Sequence, residues 1–274
     1  MSITKSIPST PPPTTSDDEL SELEWLLKVD VKTSIKHLSQ ILADCATNIV
    51  GSTPTQYNLF FHGQNQMDTI KVNTTIEGYR ITNADINIKL SSKHPMQIIK
   101  TCIKESASNP FCWRLYQIQD ANNHLNNAID LLKISLPSLL DPDNEAASSA
   151  EAGFESAEEV LQLINDIMNS LLKSRSSLLT PKKSSVEELQ HCQNMQSISP
   201  ALPLDYTISF YVQANNLVCS VYQLSQSNNR AQVKNEYQAE VSIPFLSDVL
   251  ILLGLALQVC QQMLDKIQTL QNNL

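Results

Sequence analysis

A chain of 274 residues, 42% of them hydrophobic, is long enough to enclose a substantial core, and its net charge of −9 sets it against both nucleic-acid backbones and anionic lipid. Its five glycines form neither G-x-G-x-x-G nor the G-x-x-x-x-G-K phosphate loop, so the common nucleotide-dependent enzymes are disfavoured.

Residues 1–15 read as a disordered arm, with Pro8, Pro11, Pro12 and Pro13 among Ser and Thr. No apolar leader occurs there, so a cytosolic or nuclear compartment with reduced thiols is expected. Ser16 and Glu19 have capping-box spacing and open a helix over 16–50. Its apolar positions Val31, Ile35, Leu38, Leu42, Cys45 and Ile49 step four and three apart, as in a heptad seam. Pro54 ends it. The period then changes to two over 56–112: Ile70, Val72, Thr74 and Ile76 alternate, as do Ile86, Ile88 and Leu90, with Gly78 between them. A meander is expected, with a further strand over 97–104.

A second helix over 113–135 carries the seam Leu115, Ile118, Asn122, Leu125, Ile129 and Leu132, in which a buried Asn122 would fix register. Residues 136–154 read as a linker. Asp141, Asp143 and Glu145 lack the sixth-place Gly and twelfth-place Glu of a calcium loop. Ser156 and Glu159 cap a third helix over 155–179, with Val160, Ile164, Ile167, Leu171 and Leu178 on one face. Residues 180–200 form a polar linker holding one short helix. A second β block over 204–243 shows alternation at Ile208, Phe210 and Val212 and again from Tyr237 to Ile243, with Asn215-Asn216 at a turn. Pro244 suits the first turn of a last helix over 245–273, with seam Leu250, Leu253, Leu257, Cys260, Leu264, Ile267 and Leu274, broken at Gln271. Its longest apolar run, Val249 to Leu257 extended by Val259 and Cys260, falls short of the roughly 18–20 residues of a membrane span. A buried helix is expected.

The pattern predicts an α+β protein in which residues 16–274 form a single unit. Four long helices make an antiparallel, coiled-coil-like bundle, with an antiparallel β subdomain at one end. The two chain-terminal helices are expected to touch, and the two β blocks to share one sheet.

No chemistry-bearing constellation stands out. His37, His62, His94, His124 and His191 form no H-E-x-x-H and read as surface residues. Cys45, Cys102, Cys112, Cys192, Cys219 and Cys260 form no C-x-x-C, and most, lying in apolar stretches, read as small core residues. Cys102 and Cys112 have no spacing that pairs them with His94. Asp17-Asp18 and Glu158-Glu159 lie in helix first turns, where the helix dipole accounts for them. No G-x-S-x-G elbow occurs. No catalytic, cofactor-binding or metal-ligating residue is nominated, and a leucine-zipper transcription factor is disfavoured because no basic run precedes a heptad array.

Several segments resemble the Rogdi family, the leucine-zipper-like relatives of the small subunit of the fungal RAVE complex. They are Glu22 to Leu27 continuing to Lys36–Leu42, the stretch from Trp113 to His124, Ser199 to Asp205, Leu217 to Leu224, Ile243 to Asp248, and Leu257 to Ile267. The resemblance implies a helical bundle beside a β part and a non-catalytic adaptor without cofactor. It also implies a large WD-repeat partner of the rabconnectin type and contact with the peripheral sector of the vacuolar-type proton ATPase, whose assembly and organelle acidification it would promote. On this reading the chain is cytoplasmic, with a nuclear pool allowed, and reaches membranes only through partners. A self-associating coiled coil or a lipid carrier unconnected with the pump is the alternative.

Overall fold

The computed structural model describes residues 22, 25–51, 53–63, 68–91, 97–104, 113–135, 154, 156–227 and 230–273. The proline-rich arm, the Ser16–Glu19 box, His94, Cys112 and nearly all of the 136–154 segment lie outside the described residues. A π-helical turn at Leu26–Asp30 leads into α1 (Val31–Val50). Then follow β1 (Thr55–His62), β2 (Thr69–Glu77), β3 (Arg80–Leu90), β4 (Gln97–Lys104) and the two-residue β5 (Trp113–Arg114). Helices α2 (Tyr116–Ser135), α3 (Ala157–Leu179) and the short α4 (Val186–Gln190) precede a 3-10 turn and β6 (Ile198–Ser199). The chain continues as β7 (Tyr206–Gln213), β8 (Asn216–Ser227), β9 (Arg230–Ser242) and α5 (Pro244–Asn273).

All nine strands belong to one curled antiparallel sheet, ordered β6-β4-β3-β2-β1-β9-β8-β7, with β5 paired to β3. The two β blocks therefore share a sheet, joined where Phe60 of β1 lies opposite Glu240 of β9. The fold is α+β, but the expected four-helix, coiled-coil-like bundle with a small β subdomain is overturned. The sheet is the largest element and is shared by both halves of the chain. The reason lies in the strands' composition. β8 and β9 run 12 and 13 residues, yet Ser225–Ser227 and Arg230–Asn235 are almost wholly polar and lack the alternation that marks the rest of the 204–243 block. Their strand conformation comes from ladder hydrogen bonds across a long hairpin, which leave no hydrophobic period.

The expected contact between terminal helices is present: α1 packs on α5. The Cys45 thiol reaches the Val249 carbonyl at 3.9 Å, and Lys266 Nζ lies 2.8 Å from Asp30 Oδ2. The phase of the seams differs from the expectation. In α5 the expected Leu253, Cys260, Leu264 and Ile267 are buried, but the row that alternates four and three is Leu246, Val249, Leu253, Ala256, Cys260, Met263 and Ile267, and Leu250 and Leu257 are only half-buried. Leu274 lies outside the described residues. In α2, Ala121 and Ala128 take the seam positions assigned to Asn122 and Ile129. Small residues there let α3 come close: Ser174 Oγ donates to the Ala121 carbonyl at 2.8 Å, and Asn127 Nδ2 to Ser170 Oγ at 2.8 Å. A sequence reading that ranks positions by hydrophobicity passes over alanines, although close packing selects for small volume.

Two local features tie sheet to helices. Gly78, with φ +59°, turns β2 into β3, and a Cβ there would stand 2.9 Å from the Val50 carbonyl at the end of α1. Gln117, buried at the start of α2, lies against the outer edge of β7. Its Oε1 accepts from the Val212 N–H at 2.8 Å, and its Nε2 donates to the carbonyls of Val212 at 2.6 Å and Thr180 at 2.7 Å. One amide thus replaces a missing neighbouring strand and holds the end of α3 as well. Nearby, Trp113 meets Phe210 edge-to-face, with ring centroids 5.3 Å apart. The inner faces of both sheet halves and the helices form one continuous core.

Candidate interaction surfaces

His37, His62 and His191 are exposed and His124 half-buried, and they sit on separate elements. Among the described residues no group of three metal-capable side chains converges. The five described cysteines are free thiols: burial pushes Cys45 and Cys260 up to about 12, and Cys219 higher still. Thiols so shifted are poor nucleophiles at neutral pH. Cys102 is half-buried, with its thiol donating to the Ser199 carbonyl at 3.0 Å. What the molecule offers instead is surface shape and charge.

The two halves of the sheet treat their outer faces differently. Outside β7–β9, Tyr211, Val218 and Tyr222 are buried in a second cluster beneath Leu189 of α4, apart from the main core. The capping box that starts α4 is Ser185-x-x-Glu188, with Glu188 N–H donating to Ser185 Oγ at 3.2 Å and Ser185 N–H to Glu188 Oε2 at 2.7 Å. Lys183 Nζ clamps this segment onto β9, 3.0 Å from Glu236 Oε1. Partial burial pushes the Glu236 carboxyl up, but hydrogen bonds from Gln238 and Lys183 outweigh it and hold the group below its ordinary range. The hydrogen bond to Glu236 raises Lys183 in turn. The carboxyl contributes stability that is present above its unfolded pKa and lost as pH falls through the depressed folded value. The ammonium contribution is lost only as pH rises through its raised value. Both groups are substantially solvated, so the pair is worth under about 1 kcal/mol. Lys183→Ala is expected to lower the thermal midpoint slightly at pH 7 and not at pH 2; a larger effect at pH 2 would contradict this assignment.

Outside β1–β4 nothing among the described residues covers the sheet, and a groove of about 540 Å³ lies over it. Ladder register places Phe60, Lys71, Asn87 and Lys100 in one row across the four strands, and Asn58, Asn73, Asp85 and Cys102 in the next. Ser199 of β6 continues the second row. On the other side of the first row come His62, Thr69, Lys89 and Ile98. Lys104 lies opposite Asn83. These outward positions were missed by a reading that tracked only apolar alternation. The signal was available in the intervening residues, where each of the four strands carries a lysine, an asparagine or both.

The remaining surface of note is on α5. No charged residue occurs between Asp248 and Asp265, and Ile251 and Leu255 are 61% and 45% exposed on either side of Gly254. Over an 18-residue window α5 is apolar enough to cross a membrane by length and composition, with mean hydropathy 1.6. Its heptad row, however, is packed against α1 and α3.

Comparison with known proteins finds a match over residues 22–237 to the family described as Rogdi leucine zipper containing protein. Helix α5, with the strongest heptad spacing, lies beyond that match. The chain is similar to "Protein rogdi" of Drosophila melanogaster, with 36% identity over 254 residues, covering 90% of this chain and 86% of the fly protein. It is 28% identical to "Protein rogdi homolog" of Homo sapiens over 277 residues, with 90% of each chain covered. Against "Protein rogdi homolog" of Caenorhabditis elegans identity is 24% over 267 residues, covering 92% of this chain and 89% of the nematode protein.

Proposed function

The chain belongs to the Rogdi leucine-zipper-containing family, and from that membership we propose that it is a non-catalytic adaptor in a RAVE-like complex that promotes assembly of the vacuolar-type proton ATPase. The single observation carrying this reading is the family match over residues 22–237, together with similarity to rogdi proteins along nine-tenths of the chain. Three buried thiols, scattered histidines and a solvent-open sheet face agree with work done by binding. The partners proposed are a large WD-repeat protein of the rabconnectin type and peripheral-sector subunits of the pump. An adaptor of this kind acts by holding separated sectors at high effective concentration. It is placed in the cytoplasm and recruited to vacuolar, endosomal or vesicle membranes through those partners.

Cells lacking the gene are expected to keep normal amounts of pump subunits. A larger share of the peripheral sector should be off the membrane, and vesicle acidification should be slower; re-expression should restore both. Sector fractionation and a pH-sensitive vesicle dye measure the two quantities. Unchanged assembly and acidification, with the tagged protein recovering only itself, would favour the self-associating alternative.

A further inference from the structure

The outer face of β1–β4 carries a charge opposite to that of the chain. Lys71, Lys89, Lys100 and Lys104 are all exposed there, and Asp85 is the one carboxylate among them. At the hairpin end Glu77 and Arg80 stand opposite each other and cancel. At the β1 border Glu240 of β9, across Phe60 from Lys71, marks where the basic area ends. The face is therefore basic on a molecule whose net charge is −9.

Lys71 and Lys100 flank Asn87 in one row, about 10 Å apart across two strand spacings, and Lys89 stands about 7 Å from Asn87 along β3. None of the four lysines has an ion-pair partner among the described residues. Their cross-strand neighbours are Phe60, Asn83, Asn87, Thr69 and Ile98. Like charges gathered without counter-charges repel one another, and an anionic occupant relieves that cost. The ordinary role of lysine on a sheet, guarding an edge strand against pairing, covers Lys100 and Lys104 on β4, which β6 flanks over only two residues. It does not cover Lys71 and Lys89, which lie on the interior strands β2 and β3.

We propose that this face is a docking groove for an acidic polypeptide segment of a partner protein, with carboxylates set against Lys71, Lys89 and Lys100 and an apolar side chain against Phe60. Charge complementarity selects the sign of the partner. Shape selects a polypeptide over a bilayer: Lys71 and Lys100, with Asp85, line a groove of about 540 Å³ that admits an extended chain, Lys89 and Lys104 lie beside it on the same face, and the acidic remainder of the molecule opposes approach to an anionic membrane. Phe60, 51% exposed in the groove lining, and Ile98, 54% exposed beside Lys89 in the next row, give the segment apolar contacts as well. The groove needs no particular assembly, so it stands apart from the proton-pump reading.

The test uses the full chain and a fluorescein-labelled oligoglutamate peptide containing one phenylalanine, read by fluorescence anisotropy. Saturable binding that weakens with added salt is expected. The double variant Lys71→Glu/Lys100→Glu should weaken it by at least about tenfold, or about 1.4 kcal/mol. A control pair with the same charge change on exposed helix positions, Lys32→Glu/Lys173→Glu, should alter it by less than about twofold. Circular dichroism melts of both variants verify folding, and the substituted side chains are solvent-exposed. Absence of saturable binding, or equal loss in both pairs, overturns the proposal. So does binding to phosphatidylserine vesicles with no binding to the peptide, which would make the groove a lipid contact.

Discussion

Leu253→Asp is expected to unfold the protein, whereas Leu257→Asp, one helical turn away, should leave it folded. Leu253 is fully buried in the α5 row that packs on α1 and α3. Replacing it removes a core side chain, at about 2–5 kcal/mol, and puts a carboxylate where no cation waits. The sum approaches the roughly 5–15 kcal/mol that holds an ordinary domain together. Leu257 is half-exposed, so its carboxylate can reach water and the loss should stay near about 1 kcal/mol. Urea denaturation followed by circular dichroism measures both. Equal destabilisation of the two variants would refute the heptad phase assigned to α5.

The second large effect is expected at Gln117. Gln117→Leu keeps the volume but strips three partners at once: the Val212 N–H, the Val212 carbonyl and the Thr180 carbonyl. Each buried group left unpaired costs about 1–3 kcal/mol, so a loss of about 3–5 kcal/mol is expected, with β7 the first strand to open. Hydrogen exchange at Val212 should accelerate more than at Val221 of the interior strand β8. Gln117→Glu offers a sharper test. At pH 7 a carboxylate would face two carbonyls. Towards pH 4 the protonated acid can donate to one of them, so part of the stability should return on acidification. A variant whose stability falls on acidification as the parent's does would show that the amide's donors do not matter.

These two sites show what the sequence made legible. The helices announced themselves because heptad spacing is a property of one segment: Leu38, Leu42 and Cys45 are in phase whatever lies elsewhere, and they are buried. Alternation likewise marked β2, β3 and β7. The dominance of the sheet was hidden because it depends on pairing between distant segments, as where Phe60 of β1 meets Glu240 of β9 and Cys102 of β4 meets Ser199 of β6. Gln117 was hidden for a related reason. A glutamine at the start of a helix looks solvent-facing until the strand edge it satisfies is known, and that strand lies 95 residues later. The lysines of the outer groove face are spread over residues 71 to 104 on three strands, and only ladder register gathers them. The small seam residues Ala121 and Ala128 were passed over because their contribution is closeness of approach.

The contact between α1 and α5 has a consequence for biosynthesis. Cys45 and Val249 touch across 204 positions of chain, and α5 leaves the ribosome after every other described element. At about 5–20 residues per second, the apolar row of α1 waits on the order of 10–40 s for its cover. During that interval Val31, Ile35, Leu38 and Leu42 present a ready surface to chaperones or to a neighbouring nascent chain. A premature stop codon anywhere before Leu246 makes the interval permanent. Late truncations should therefore behave as folding defects, cleared by quality control, even when every groove residue has already been translated.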